Sequence, residues 1–292
     1  MKFTKMEGCG NDYIFVDARS FEAEWPALAR AMSDRHRGVG GDGLILVKES
    51  NSADLRMQMF NSDGSEGELC GNGIRCFVKY AIDRAIVDPS SHRISVETPS
   101  GIRIVFPIWA NGSVTKARVA MGAPRLNPQE VPVMVEPSLG RRVGEAVVDY
   151  PLTVDGIDLR LAFVSMGNPH AVAFIEYPVY EFPLQTVGPL VEHHTLFPKR
   201  VNFEIVQITS EGVVNARVWE RGSGETLACG SGACAITVAA RLLGADKAVR
   251  DITTDAIDVT LPGGVLSVCW EGQGDVYLEG PAVEVFEGEW KE

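Results

Sequence analysis

The sequence predicts an α/β chain of the α+β type, made of two pseudo-symmetric domains from a duplicated unit, each a mixed or antiparallel sheet wrapped around a central helix. Three observations predict it. Leu55-Arg56-Met57-Gln58-Met59-Phe60 lies over Val214-Asn215-Ala216-Arg217-Val218-Trp219 at an offset of 159, and both alternate apolar and polar residues as half-buried strands do. Without a gap, the same offset carries Asn61 onto Glu220, Glu66 onto Glu225, Cys70 onto Cys229, Gly71 onto Gly230 and Gly73 onto Gly232. Beyond the glycines, Ile74, Phe77, Val78 and Ala81 mark one face of a helix, and Ala233, Ile236, Thr237 and Ala240 repeat that spacing. Each half therefore reads as strand, Gly-rich loop ending in Cys-Gly-x-Gly, then amphipathic helix. Many short strands with Gly and Pro turns argue against a parallel doubly wound sheet.

In chain order, Gly10-Asn11-Asp12-Tyr13 followed by Ile14-Phe15-Val16 resembles Gly167-Asn168-Pro169-His170 followed by Ala171-Val172-Ala173, at an offset of 157. His170 follows Asn-Pro and is expected in a turn. A helical stretch, Trp25 to Arg35, precedes Gly38-Val39-Gly40-Gly41-Asp42-Gly43, and a strand, Leu44 to Val47, follows it. A dinucleotide loop follows a strand and opens a helix, so this G-x-G-x-x-G is read as a turn. Arg118 to Pro137, rich in Pro and Gly, is expected to hold the crossover between halves. His193-His194 reads as a solvated loop, and Val276 to Phe286 as a last strand packing back on the first half. The expected domains are 1–118 with 276–292, and 119–275.

Composition narrows the function classes. With 292 residues, 45% of them hydrophobic, the chain can build proper cores. A net charge of −12, spread along the chain, argues against nucleic acid or an anionic membrane as a partner. The densest apolar patch, Leu44-Ile45-Leu46-Val47, is too short to span a bilayer, and the N-terminal residues show no apolar signal region. A cytoplasmic location is expected. The six cysteines show no C-x2-C pair, so neither a disulfide framework nor a metal site is expected. Cys9, Cys76, Cys234 and Cys269 are read as core residues.

Cys70 and Cys229 differ from those four because both sit among polar residues and glycines. A cysteine just before a helix meets unpaired N–H groups and the positive end of the macrodipole, which favour a thiolate. Flanking glycines let a ligand approach the backbone, and the same N–H groups can hold a carboxylate. Two such loops related by duplication point to a thiol on each side of one substrate. Inverting a carbon centre needs a base on one face and an acid on the other, and a thiolate–thiol pair supplies both. A carboxylate held by helix N-termini is stabilised as charge moves onto it, so no cofactor is expected.

These residues resemble diaminopimelate epimerases. The likeness is carried by Gly8-Cys9-Gly10-Asn11-Asp12-Tyr13, Phe60 to Glu66, Cys70-Gly71-Asn72-Gly73-Ile74-Arg75-Cys76, Gly167-Asn168-Pro169-His170 and Glu220 to Gly232. It continues through Leu261-Pro262-Gly263-Gly264 and Gly280-Pro281-Ala282-Val283, essentially the whole chain. The resemblance implies conversion of LL- to meso-diaminopimelate in a cleft between two domains, with Cys70 and Cys229 as the acid/base pair. It implies that His170 and Glu220 orient the reacting amino group and support proton transfer. Gly71, Asn72, Gly230 and Ser231 would hold the reacting carboxylate, and Asn11, Asn61, Asn168, Asn202 and Arg221 would bind the rest of the substrate. Two positions depart from the family pattern: Glu7 where His is usual, and Gly43 where some members have a substrate-contacting Gln.

The rival readings are a related two-cysteine racemase for another amino acid, such as a proline-like one, a non-catalytic binding or isomerase relative, and a thiol hydrolase. Both cysteines together argue against the last two. Homodimerisation is expected on base rates alone. Oxidation is expected to join Cys70 to Cys229 and to inactivate the protein reversibly.

Overall fold

The computed structural model describes residues 1–67, 70–245 and 255–291. The chain divides into two compact units, Met1–Ala120 with Glu279–Glu292, and Met121–Leu278.

The first unit opens with an antiparallel pair, β1 (Lys2–Gly8) and β2 (Asn11–Asp17). Helix α1 (Trp25–Ser33) follows, two residues shorter at its end than the expected stretch to Arg35. Then come β3 (Gly43–Lys48), β4 (Leu55–Asn61), β5 (Glu66–Gly67) and α2 (Gly71–Asp83). Strands β6 (Ile94–Thr98), β7 (Gly101–Ala110) and β8 (Ser113–Gly122) close this run. β2 runs parallel to β3, β3 antiparallel to β4, and β4 parallel to β6. The β7–β8 turn is Asn111-Gly112, both at positive φ (53° and 81°), the pair a twisted two-residue hairpin demands.

Alternation along these strands buries both faces. Ile14, Val16, Leu44 and Leu46 pack with Trp25, Ala29 and Met32 of α1. The intervening residues face α2: Phe15 stacks on Tyr80 at 5.7 Å, and Gly73 lies against Ile45. Each buried Leu, Ile or Phe contributes about 1.5–3 kcal/mol. α2 is thus the helix about which the first sheet is wrapped, and Asn72 through Ile82 are buried along its whole length.

The second unit repeats the plan. After β9 (Arg141–Val143) and β10 (Ala146–Val148) come β11 (Tyr150–Val154), β12 (Ile157–Ser165), β13 (Pro169–Phe174) and α3 (Leu184–Glu192). β14 (Asn202–Ile208), β15 (Val214–Glu220), β16 (Gly224–Thr226), α4 (Gly230–Leu243), β17 (Ala256–Leu261) and β18 (Gly264–Cys269) follow. β13 is parallel to β14, β14 antiparallel to β15, and β15 parallel to β17, the same sequence of pairings as β2, β3, β4 and β6. Leu184, Val187 and Val191 of α3 cover one face of this sheet with Phe163, Phe203 and Ile205. α4 packs on the other, touching β12, β13 and β14.

The register also explains why the two sequence offsets differ. Tyr13 pairs with Gly43, and His170 with Asn202. The connection carrying α3 is two residues longer than the one carrying α1, which moves the offset from 157 to 159.

Three expectations change. The terminal segment forms two strands, not one: β19 (Val276–Pro281) and β20 (Val283–Glu289), with β20 pairing along β1. His170 lies inside β13, not in a turn, because the parallel pairing with β14 begins at that residue. Cys269, the last residue of β18, is half-buried rather than core, since its strand ends there. Cys9, Cys76 and Cys234 are buried as expected.

Candidate active site

Both cysteines are helix N-caps of nearly identical conformation. Cys70 has φ −121° and ψ 117°, and its Sγ accepts from the Gly73 N–H at 3.3 Å. Cys229 has φ −123° and ψ 114°, and its Sγ accepts from the Gly232 N–H, also at 3.3 Å. The extended backbone of a cap leaves the following amides of the first turn unpaired within the helix. The glycine three residues on has a packing role. A Cβ at Gly73 would lie 2.7 Å from Ile45 Cδ1, and one at Gly232 would lie 3.0 Å from Glu204 Oε1. These glycines let each helix start close against its own sheet.

Around Cys70 the first unit gathers Asn11, Asn72 and Tyr13. The Tyr13 hydroxyl lies 3.0 Å from Cys70 Sγ. Asn72 is buried and donates to Asn11 Oδ1, while Asn11 donates to Asp42 at 3.2 Å. Asp42 is held by Arg35, and Arg35 and Lys5 both pair with Asp12. Burial opposes ionisation of Asp12, but these two cations outweigh it and hold the carboxyl below its usual range. Asn61 closes the row Tyr13–Gly43–Asn61 across three strands and donates to Ser65 at 3.0 Å.

The two departures from the family pattern have local causes. The Glu7 carboxylate accepts from the Gly10 N–H at 3.0 Å and so caps the β1–β2 turn. At Gly43 any Cβ would meet the Phe60 carbonyl at 2.2 Å, so this backbone admits glycine alone.

Around Cys229 the second unit places a polar chain. Glu204 Oε1 lies 2.7 Å from His170 Nδ1, and His170 Nε2 lies 3.0 Å from Asn168 Oδ1. Asn168 donates to Ser231 Oγ at 3.2 Å, and Ser231 Oγ is 3.4 Å from Cys229 Sγ. Glu220 accepts from Thr226 Oγ1 at 2.5 Å, and its charge acts on the Cys229 thiol. Asn202 donates to the Pro169 carbonyl and accepts from the Arg221 N–H at 2.8 Å, while the Arg221 side chain is exposed and donates to the Lys199 carbonyl.

The electrostatics of Cys229 reverse the expectation for a cap. Burial first, and then the Glu220 and Glu204 carboxylates, push its thiol well above the ordinary value, although Ser231 and the Gly232 amide oppose them. One hydroxyl and one backbone amide lose to desolvation plus two nearby anions. Glu220 is itself raised, chiefly by burial, with Thr226 and Cys229 working against the rise. At neutral pH this sulfur therefore carries its proton.

Glu204 is the residue the sequence hides. It is fully buried on β14, its Oε1 orients His170, and its Oε2 has no hydrogen-bond partner among the described residues. The only signal was a lone Glu inside Asn202-Phe203-Glu204-Ile205, where alternation reads it as a solvent-facing position. Among the described residues no cluster of His, Cys, Asp or Glu suits a metal ion, and no helix is long and apolar enough to cross a membrane.

Fold and caps together define the class of the protein. The fold is that of a protein of Agrobacterium radiobacter K84 described as a probable proline racemase (TM-score 0.68, 13% identity, 99% of this chain and 92% of that one). It is also that of a Bacillus anthracis phenazine biosynthesis protein of the PhzF family (TM-score 0.64, 17% identity, covering 100% and 99%). A family model described as diaminopimelate epimerase matches residues 3–126 and again 162–285, two spans set 159 residues apart, the same offset as the two cysteines. Diaminopimelate epimerases of Acetivibrio thermocellus (46% identity, 99% of this chain, 98% of the relative) and Methanococcus maripaludis (47%, 99% and 99%) align along the whole chain. The chain belongs to the diaminopimelate epimerase family.

Proposed function

We infer that the chain inverts an amino-acid α-carbon, converting LL-diaminopimelate into the meso isomer in the synthesis of lysine and of peptidoglycan precursors. The observation that carries this is the pair of cysteine caps, equal in backbone conformation and placed at equivalent points of a duplicated unit. One sulfur, as thiolate, takes the α-proton: an S–H bond forms, Cα–H breaks, and the electron pair moves into the substrate carboxylate. The other, as thiol, gives its proton to the opposite face of Cα, and the two have then exchanged protonation states. First-turn amides at Gly71, Asn72, Gly230 and Ser231 stabilise the enediolate-like charge on the carboxylate. His170 and Glu220 orient the reacting amino group, and Asn11, Asn61, Asn168, Asn202 and Arg221 bind the remainder of the substrate. The chemistry asks nothing of pyridoxal phosphate.

A cytoplasmic location and a homodimer belong to the same proposal, the first because the substrate is a soluble biosynthetic intermediate and the second because two-fold dimers are the commonest soluble assembly. The deciding experiment incubates reduced protein with LL-diaminopimelate in D2O without added cofactor. Meso product carrying one solvent deuterium at the inverted carbon, abolished in Cys70→Ala and in Cys229→Ala, is the expected result. Exchange on proline or another amino acid but not on diaminopimelate would move the substrate and keep the two-base chemistry. No exchange on any amino acid would refute both.

A further inference from the structure

Strand register fixes which residues of the two halves correspond. Tyr13 beside Gly43 matches His170 beside Asn202, and Phe15 beside Ile45 matches Val172 beside Glu204. Gly43 pairs with Asn61, and Phe203 with Trp219, so Asn202 and Glu220 are the next pair along. The duplicated frame around the two sulfurs has therefore been filled with opposite chemistry. The first half has Tyr13, Asn61 and Ile45 where the second has His170, Glu220 and Glu204.

Hydrogen-bond polarity follows from that filling. Cys70 Sγ receives the Gly73 N–H, which can only donate, and lies 3.0 Å from a phenolic O–H. A thiolate accepts both, and charge-assisted bonds of this kind are roughly twice as strong as neutral ones. Cys229 instead lies near the Glu220 and Glu204 side chains, whose negative charge favours the protonated sulfur. Tyr13 is buried, only 7% exposed, on a strand whose neighbours are fixed on both sides, so its hydroxyl is preorganised rather than recruited.

We propose that Tyr13 is a positioning residue whose hydroxyl holds Cys70 as the resting thiolate, which makes Cys70 the resting base and leaves Cys229 the resting acid. The proposal rests on the two-thiol reading above. Arg75 on α2 and Glu7 on β1 act together with Cys70 on the neighbouring Cys76. Tyr13→Phe leaves both in place.

The test is alkylation of each cysteine by iodoacetamide between pH 6 and 10, followed by peptide mass spectrometry, in wild type and Tyr13→Phe. Loss of one charge-assisted donor is expected to raise the Cys70 midpoint by about one pH unit, a tenfold loss of thiolate below it, with the Cys229 midpoint unchanged. Turnover should fall about tenfold near neutral pH and recover as pH rises. An unchanged Cys70 midpoint in folded Tyr13→Phe overturns the proposal. If that variant fails to fold, thiolate absorbance at 240 nm decides. At pH 7 the signal should vanish in Cys70→Ser and persist in Cys229→Ser, and the reverse pattern overturns the assignment. Epimerisation in D2O is read separately. A shifted midpoint without turnover would sink the epimerase reading alone, and turnover with an unshifted midpoint would sink Tyr13 alone.

Discussion

Replacing Glu204 by the residue that occupies its place in the other half is a sharp test of how the second half works. Ile45 lies where Glu204 lies, and each side chain lies against the second glycine of its Cys-Gly-x-Gly loop. Glu204→Ile therefore installs a side chain of suitable shape in a site already built to receive it. The new side chain packs, but only one member of the buried contact is replaced, and the gain seen when both members give way to apolar groups does not apply. Against this, His170 Nδ1 loses its 2.7 Å partner inside a fully buried pocket, which costs about 1–3 kcal/mol. Packing offsets only part of that cost, so the urea unfolding free energy should fall by about 1–3 kcal/mol. Catalysis has no such compensation. A misoriented imidazole gives back the same 1–3 kcal/mol at the transition state, a loss of about 5- to 150-fold in kcat. Epimerisation of LL-diaminopimelate and equilibrium unfolding on the same preparations measure both. A folded Glu204→Ile protein with kcat within twofold of wild type would refute the idea that Glu204 acts through His170.

Two further outcomes follow from the same geometry. Gly73→Ala presses a methyl 2.7 Å from Ile45 Cδ1 in the core, whereas Gly232→Ala presses on the Glu204 carboxylate and the Cys229 side chain at 3.0–3.4 Å. Denaturation should show Gly73→Ala losing about 1–3 kcal/mol of stability, while Gly232→Ala should lose proportionally more turnover than stability. Glu220 is raised by burial, so it is neutral at pH values where an ordinary glutamate is already charged. Its work needs the carboxylate, and activity should therefore fall as pH drops through that raised value. The acidic limb of the kcat profile should lie above the ordinary carboxylate range and be absent from the residual activity of Glu220→Gln. An unaltered limb in that variant would assign the titration elsewhere.

Much of this was legible in residue order because a duplication writes each structural requirement twice. The strand alternation of Leu55–Phe60, the cap at Cys70 and the helix face at Ile74 each reappear at one offset, and repetition separates signal from chance. What stayed hidden depends on contacts between segments distant in the chain. Whether a polar residue in an alternating strand faces water or a buried histidine is decided by the helix lying over it, which is why Glu204 gave no signal. The ionisation of Cys229 is set in the same way. The helix terminus is local and readable, but the enclosing burial and the two carboxylates come from β14 and β15. His170 went to a turn because Asn-Pro is a turn signal until a parallel neighbour claims the next residue.

The pairing of β20 with β1 has a consequence for the order in which the molecule is made. The ribosome delivers the N-terminal residues first, and in most proteins the first unit to emerge is the first to finish folding. Here the contiguous second unit can close as soon as residue 278 is available, but the outer edge of β1 stays open until Val283–Glu289 has been synthesised. The half that begins the chain is thus the last to be completed. A nascent chain stalled shortly before its end would carry a finished second unit beside an exposed strand edge, the state in which chaperone protection counts most.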